Sequence, residues 1–301
     1  MHVGIFYSSI SNPQKFPHKT ALMDAFSEGV IANGDTTIKL FEHGLIPEMD
    51  AGFVLGYTLD NTYRRTIIDT LTSRGTKIIY VDSNIFSYGR SAHLYHRYSV
   101  NSVYPPSGQY LLTDTLNRSK WNEITNFHKI TLKPWRVYGN HILVLAQRTK
   151  SWNMLGTNGL DWTLDIIRRI KAITNRPIIV RLHPGDKKNN PTNQAIIYQQ
   201  FGHTVTVSGN EDIRTDLINA WCSVGYNSTP NCVSAIEGVP VYVDDPINSW
   251  ATDVAFTNLA QIDYAPTPDR TEWIHTLANI HWSNDEIANG TYWNHFKEFY
   301  K

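Results

Sequence analysis

Short apolar runs closed by polar or glycine-containing turns alternate along this chain with stretches whose apolar residues recur every three to four positions. Residues 2–7 (HVGIFY) predict a first strand, followed by a polar turn over 8–13. A helix is predicted over 18–33, where Ala21, Leu22, Ala25, Phe26 and Val30 fall at helical spacing before Asn33-Gly34 ends it. Residues 37–41, 51–57 (AGFVLGY) and 77–81 (KIIYV) predict three more strands. A helix over 64–74 stops before Gly75, a suitable C-terminal cap. Strands alternating with helices in this way imply a parallel, doubly wound sheet.

The stretch 83–138 breaks the pattern. It is polar and aromatic, carries Pro105-Pro106, and shows one clear helix near 116–127, so loops, short elements and a linker are expected. Alternation resumes at 141–146 (HILVLA). Strands are then predicted over 177–182 (PIIVRL), 204–207, 221–224 and 239–243, with helices over 161–174, 194–201, 212–219 and 231–237. The tail 270–301 reads as helical and aromatic. The expected fold class is therefore α/β, with two doubly wound parallel sheets.

The 301 residues suffice for two mid-sized domains, and 41% hydrophobic against 18% charged residues supports sizeable cores. With 27 basic and 27 acidic residues there is no global polyanion signature. The local balance differs: from Arg90 to Arg136 seven Lys/Arg face two acids, interleaved with Tyr88, Tyr95, Tyr98, Tyr104, Tyr110, Trp121 and Trp135. Two cysteines, Cys222 and Cys232, define neither a metal site nor a disulfide framework. The N-terminus lacks a signal-peptide pattern and no apolar run approaches membrane length, so a soluble, cytoplasmic protein is expected.

Ligands of open parallel sheets bind beyond the carboxyl ends of the strands. Three loops there carry candidate chemistry: Gln147, Arg148 and their neighbours to Trp152; Arg181 and His183-Pro184-Gly185-Asp186; and Tyr226-Asn227-Ser228-Thr229. Ser228 and Thr229 fall at a predicted helix N-terminus, where free N–H groups and the helix dipole favour an anion. With Arg181 and His183 alongside, the set suits a diphosphate. Plain helix capping by the two hydroxyls is the alternative. Glu237, one to two turns further, is placed to reach a ribose diol or else stands as a surface acid.

Arg181-Leu182-His183-Pro184, Tyr226-Asn227-Ser228-Thr229 and Glu237-Gly238-Val239-Pro240-Val241 together resemble the donor half of two-domain (GT-B type) glycosyltransferases. Capsular-polysaccharide and sialyltransferase-like enzymes share a similar His-Pro motif and small hydroxyl residues at the nucleotide phosphate. In that family the glutamate before G-x-P commonly contacts the ribose. Lys133-Pro134-Trp135-Arg136, Gly139 to Leu143, Gln147-Arg148 and Ser151 to Met154 also resemble glycosyltransferases of tailed phages that modify DNA. The resemblance covers about residues 133–245. It implies two Rossmann-like domains facing across a cleft: 1–137 binding the acceptor, 138–270 the nucleotide sugar, and 271–301 as helices packing back towards the first. A second glutamate that many retaining members place near the sugar is missing, which leaves the stereochemistry open.

A nucleotide sugar, with UDP favoured, is the expected donor substrate; no tightly bound cofactor is implied. No motif requires a divalent metal, and Asp244-Asp245 before Pro246 reads as a turn. Transfer to a hydroxyl needs a base beside it. Asp82, directly after KIIYV, is the first candidate, with a turn role as its alternative; His18 and the loop 8–11 come second. The resemblance to phage enzymes makes 5-hydroxymethylcytosine in double-stranded DNA the expected acceptor. Arg90, Arg97, Arg118 and Lys120 would track phosphates, and Tyr95 and Tyr98 would hold a flipped-base gap. A saccharide acceptor of capsule or envelope synthesis is the alternative, and a nucleotide-sugar epimerase or nucleotide-binding module the third reading.

Overall fold

The computed structural model describes every residue except 11–13, 15, 42–43, 57–61, 87–93 and 301, and Trp152 by its backbone alone. Arg90, Tyr88, His93 and Ser11 therefore lie outside the described residues. The chain forms two compact units, one of residues 1–129 with 274–301, the other of residues 130–273.

The first unit holds a six-stranded sheet. Its strands are β1 (His2–Ile5), β2 (Thr36–Lys39), β3 (Ala51–Leu55), β4 (Lys77–Ser83), β5 (Tyr95–Val100) and, from the C-terminal return, β11 (His281–Ser283). The order is β11-β5-β4-β3-β1-β2. β1 to β4 run parallel, whereas β5 pairs antiparallel with β4 and β11 antiparallel with β5. The helices of this unit are α1 (Pro17–Ala32), α2 (Thr62–Ser73), α3 (Ser119–His128), α8 (Thr271–Asn279, which spans the unit boundary), α9 (Asn284–Ala288) and α10 (Thr291–Phe299). α9 starts with a capping box in which Ser283 and Glu286 satisfy each other's backbone N–H.

Two strands were not expected from the residue pattern. β5 reads YHRYSV, polar and basic, yet lies between β4 and β11 with Tyr98 fully buried and Arg97 5% exposed. The Arg97 guanidinium is satisfied there by Asp82, 2.8 Å across the β4–β5 register, and by the Ser83 carbonyl. Phe26, Phe53, Tyr98, Tyr292 and Trp293 form one aromatic cluster in this core, with Phe26, Phe53 and Tyr98 stacked.

That placement corrects the DNA-facing expectation at four of its six residues. Tyr95 and Tyr98 are core rings, Arg97 is an internal ion-pair partner of Asp82, and Lys120 is buried in a bond to Glu286, with its ammonium 4.5 Å from the Trp282 ring centre. Arg118 is exposed. The excess of positive charge counted along 90–136 is thus partly folded inwards and neutralised locally.

The second unit holds β6 (His141–Leu145), β7 (Ile178–Arg181), β8 (Val205–Val207), β9 (Ala220–Gly225) and β10 (Val241–Val243), all parallel in the order β10-β9-β6-β7-β8. Its helices are α4 (Gly159–Lys171), α5 (Asn190–Phe201), α6 (Ile213–Leu217) and α7 (Pro230–Ile236). α4 is set by Asn158, whose side chain accepts from the N–H groups of Leu160 and Asp161, and by Arg168, Arg169 and Lys171 in its last turn, which suit the dipole. Trp162, Ile166, Ile167 and Ile170 bury its apolar face against Ile142, Val144, Val180 and Val224. Leu143, Leu145, Val233 and Val239 fill the opposite face of the sheet. Among the described residues no helix is long and apolar enough to cross a membrane.

Lys120→Glu should lower the unfolding free energy by about 3 kcal/mol, read as a lower urea midpoint, because it places a second carboxylate against Glu286 in a buried setting. Arg118→Glu, at an exposed position, should stay within about 0.5 kcal/mol of the parent in the same urea titration.

Candidate functional site

In the second sheet the chain leaves β6 in one direction, to β7 and β8, and returns on the other side as β9 and β10. The switch falls between β6 and β9, and their carboxyl ends define the crevice where an open α/β sheet binds ligands. Leu145 stands level with Gly225 on one side and Arg181 on the other. With strands ~4.8 Å apart, the three chain exits lie within about 10 Å. The loops carrying the expected chemistry are therefore neighbours.

Buried hydrogen bonds frame the crevice. Gln147 Nε2 donates to Asn227 Oδ1 at 2.9 Å, tying the β6 loop to the β9 loop. Asn227 Nδ2 donates to the Asn153 carbonyl and to Asp245, which also accepts from Asn248. Tyr226 packs edge-on to Trp162, ring centres 5.8 Å apart. Asp244 is bound by Trp162, Arg169 and Tyr242, so it belongs to this frame as well. Among the described residues no cluster of His, Cys, Asp or Glu fits a metal ion.

Between the β6 and β7 loops lie the titratable groups. Asp186 Oδ2 accepts from both the N–H and the hydroxyl of Thr149, each at 2.8 Å, and Asn189 donates to its other oxygen. Burial alone would raise the Asp186 carboxyl, but these bonds outweigh it and hold it below the usual range. His183 Nδ1 accepts from the Gly185 N–H at 2.9 Å and from Arg148 Nε at 3.4 Å. Burial, then the Arg148 charge, push the imidazole down to about 4 against the pull of Asp186. The ring is neutral at pH 7, with its proton on Nε2. Arg148 is exposed, and its guanidinium lies against Gly185, where a Cβ would overlap it.

The start of α7 differs from both sequence readings. Pro230 has no N–H, and the N–H groups of Asn231 and Cys232 donate to the carbonyls of Ser228 and Thr229 at 3.0 and 2.9 Å. These first backbone donors are thus already used and do not await an anion. Nor do the hydroxyls cap the helix: Thr229 makes no side-chain cap bond, and Ser228 Oγ is buried without a partner among the described residues.

Two expected donor residues are framework instead. Arg181 is 11% exposed, bonded to Asp216 at 2.6 Å and to the carbonyls of Asn210 and Glu211. Its guanidinium is spent on α6 and the loop before it, since its side chain leaves β7 on the face that α6 covers. Glu237 is buried and ion-paired with Lys133 and with Arg214, the latter at 2.9 Å, so it is neither a surface acid nor open to a ribose. Gly238 has φ +79°, and a Cβ there would strike the Pro134 carbonyl. The E-G-V-P motif therefore fastens the 133–136 segment, whose Arg136 N–H bonds Gly238. Thr149, Asp186, Asn153 and Asp245 were not singled out as site residues; they lay in or beside the three loops, and only folding reveals their bonds.

In the first unit the corresponding switch lies between β1 and β3. Ser8 bonds Tyr63 at 3.3 Å, Arg64 donates to the Ser9 carbonyl, and His18 stands in the first turn of α1. Asp82 lies one strand away, with Oδ2 held by Arg97 and Oδ1 accepting from the Ser83 N–H at 2.7 Å.

No known family profile matches the chain, and no curated protein matches it. Among solved structures it is similar to KpsC, the beta Kdo 2,4 transferase of Thermosulfurimonas dismutans, with a TM-score of 0.55 at 15% identity over 92% of this chain and 90% of that one. The beta Kdo 2,7 transferase KpsC of the same organism follows at a TM-score of 0.48 and 10% identity, covering 100% and 99% of the two chains. The UDP-GlcNAc 2-epimerase of Methanocaldococcus jannaschii follows at 0.38 and 10%, over 99% and 100%. These last two likenesses are too loose to bear on the fold. The first shows a shared fold of two Rossmann-like units.

The native His183 binds its proton more weakly than an unfolded histidine, at about 4 against 6.5. Between these values the unfolded chain holds more protons, so stability falls as pH drops through that window. Urea titrations from pH 7 to 4 should show this slope, shallower in His183→Gln. Glu237→Gln should cost about 2 kcal/mol in stability, because it weakens both ion pairs of a buried carboxylate, and should leave nucleotide affinity unchanged.

Proposed function

We propose that this chain is a glycosyltransferase that moves a sugar from a nucleotide-activated donor to a hydroxyl of a saccharide acceptor in capsule or envelope synthesis. What supports the reading is that the loops carrying Arg148, His183 and Ser228 leave neighbouring strand ends at the β6–β9 switch point, with an exposed Arg148 bonded to a neutral His183, in a fold similar to that of a Kdo transferase over most of its length. In this arrangement Arg148 neutralises the phosphate that departs with the nucleotide. His183 donates from Nε2 without adding a charge, and Ser228 and Thr229 supply hydroxyls. Gln147, Asn227 and Tyr226 hold the walls. UDP remains the favoured nucleotide.

The DNA acceptor finds no support: four of the six residues expected to contact it are interior or internally paired. A saccharide acceptor agrees with the similar transferase, which acts with Kdo. For the general base we favour His18 over Asp82, because His18 stands in the first turn of the helix that follows β1 whereas both carboxylate oxygens of Asp82 are already engaged.

Mass spectrometry of oligosaccharides, Kdo-terminated ones included, after incubation with a panel of nucleotide sugars should reveal one added sugar. The absence of any product across saccharides, with product on hydroxymethylated DNA, would reverse the acceptor assignment. His18→Asn should lower kcat by about 10²–10⁴-fold with nucleotide affinity intact. Asp82→Asn should retain transfer and lose stability, since Arg97 is left buried without its counter-charge.

A further inference from the structure

Arg64, near the start of α2, donates to the Ser9 carbonyl, and Ser9 Oγ accepts from the N–H of Leu55, the last residue of β3, at 3.2 Å. These two bonds fix a guanidinium at the β1–β3 switch point of the first sheet. Lys19, in the first turn of α1, is partly buried and lies within reach of that charge. Burial, then the Arg64 guanidinium, pull its ammonium below the usual lysine range. The ammonium stands 4.6 Å from the Phe16 ring centre and otherwise has no hydrogen bond or ion pair among the described residues. Asp24 on α1 and Asp82 at the end of β4 do not serve this pair, since Lys39 and Tyr7 hold the first and Arg97 the second. No acid stands in the first turn of α1, where the helix dipole adds positive charge of its own. Two like charges drawn partly out of water repel each other, and the fold gains no stability by bringing them together. The arrangement becomes favourable once an anionic group joins it.

We propose that Lys19 and Arg64 bind an anionic group, a carboxylate or a phosphate ester, on the saccharide acceptor, with Nζ–H and guanidinium N–H groups donating to its oxygens. The assignment to the acceptor rests on the transferase reading above; the anion site itself does not. The pair selects an acidic sugar over its neutral counterpart. Lys19 adjoins His18 in the chain, so an acidic sugar held by the pair is brought to the helix turn that bears the base.

The first test needs no donor. Thermal unfolding of wild type, Lys19→Met and Lys19→Glu is compared in chloride and, at equal ionic strength, in inorganic phosphate or malonate. In chloride Lys19→Met should keep or raise Tm, and Lys19→Glu should raise it by giving Arg64 a counter-charge. Phosphate and malonate should raise the Tm of wild type more than that of either variant. The second test measures transfer to oligosaccharides that end in glucuronate, in its neutral methyl ester or in a sugar phosphate. Wild type should favour the charged ends in kcat/KM by about 10- to 100-fold, the equivalent of one charge-assisted hydrogen bond. Lys19→Met should erase most of that preference, chiefly through KM. Equal Tm gains in all three proteins, with charged and neutral acceptors used alike, overturn the inference and leave the transferase reading in place. Loss of Tm in both variants, with the response to anions intact, overturns it in favour of a framework role for Lys19. A lysine-dependent Tm gain with charged and neutral acceptors used alike overturns the assignment to the acceptor. With that gain but no saccharide used at all, the transferase reading falls and the anion site stands.

Discussion

The parallel pairing of β6 with β7 on one side and β9 on the other is the constraint on which the candidate site depends. It brings Leu145, Arg181 and Gly225 level, so three loops distant in sequence leave the sheet side by side. The Gln147–Asn227 bond then joins the two loops that flank the topological switch. The loops that carry Arg148, His183 and Ser228 thus become neighbours through backbone register, before any side-chain contact is considered.

Within that frame, each polar group serves either the fold or a ligand, and its partners tell which. Arg181 and Glu237 are saturated by Asp216, Lys133 and Arg214. Buried charges need such partners, because desolvation without them costs several kcal/mol per ion. Arg148 is exposed, His183 is kept neutral by burial and by that same arginine, and Ser228 Oγ has no partner among the described residues. Stability thus accounts for the first group. The second group is where the fold leaves local rules unsatisfied, as sites shaped for a ligand do.

The first unit applies the same rule to a larger segment. Its basic, aromatic stretch resembles a nucleic-acid surface when counted along the chain. Folded, it supplies β5 as an internal strand, closed by β11 from the C-terminal return. Tyr98 joins an aromatic core, and Arg97 and Lys120 meet carboxylates from β4 and α9. Charge density along a sequence says little about charge on a surface when long side chains bury their stems and pair their heads.

The residue pattern by itself determined the alternation of strands and helices, the two-unit α/β class and the loops in which polar chemistry gathers, because apolar periodicity is local and survives without tertiary context. β5 and β11 were not legible. One is polar and basic and the other three residues long, and both are strands only through pairing with neighbours remote in sequence. His183, Arg148 and Ser228 were legible as candidates from their place after apolar runs. The withdrawal of Arg181 and Glu237 was not, nor was the charge of Arg64 beside Lys19. Whether a guanidinium or carboxylate faces a ligand or a counter-charge is decided by which face of the sheet it leaves and what packs there, and that information exists only in three dimensions.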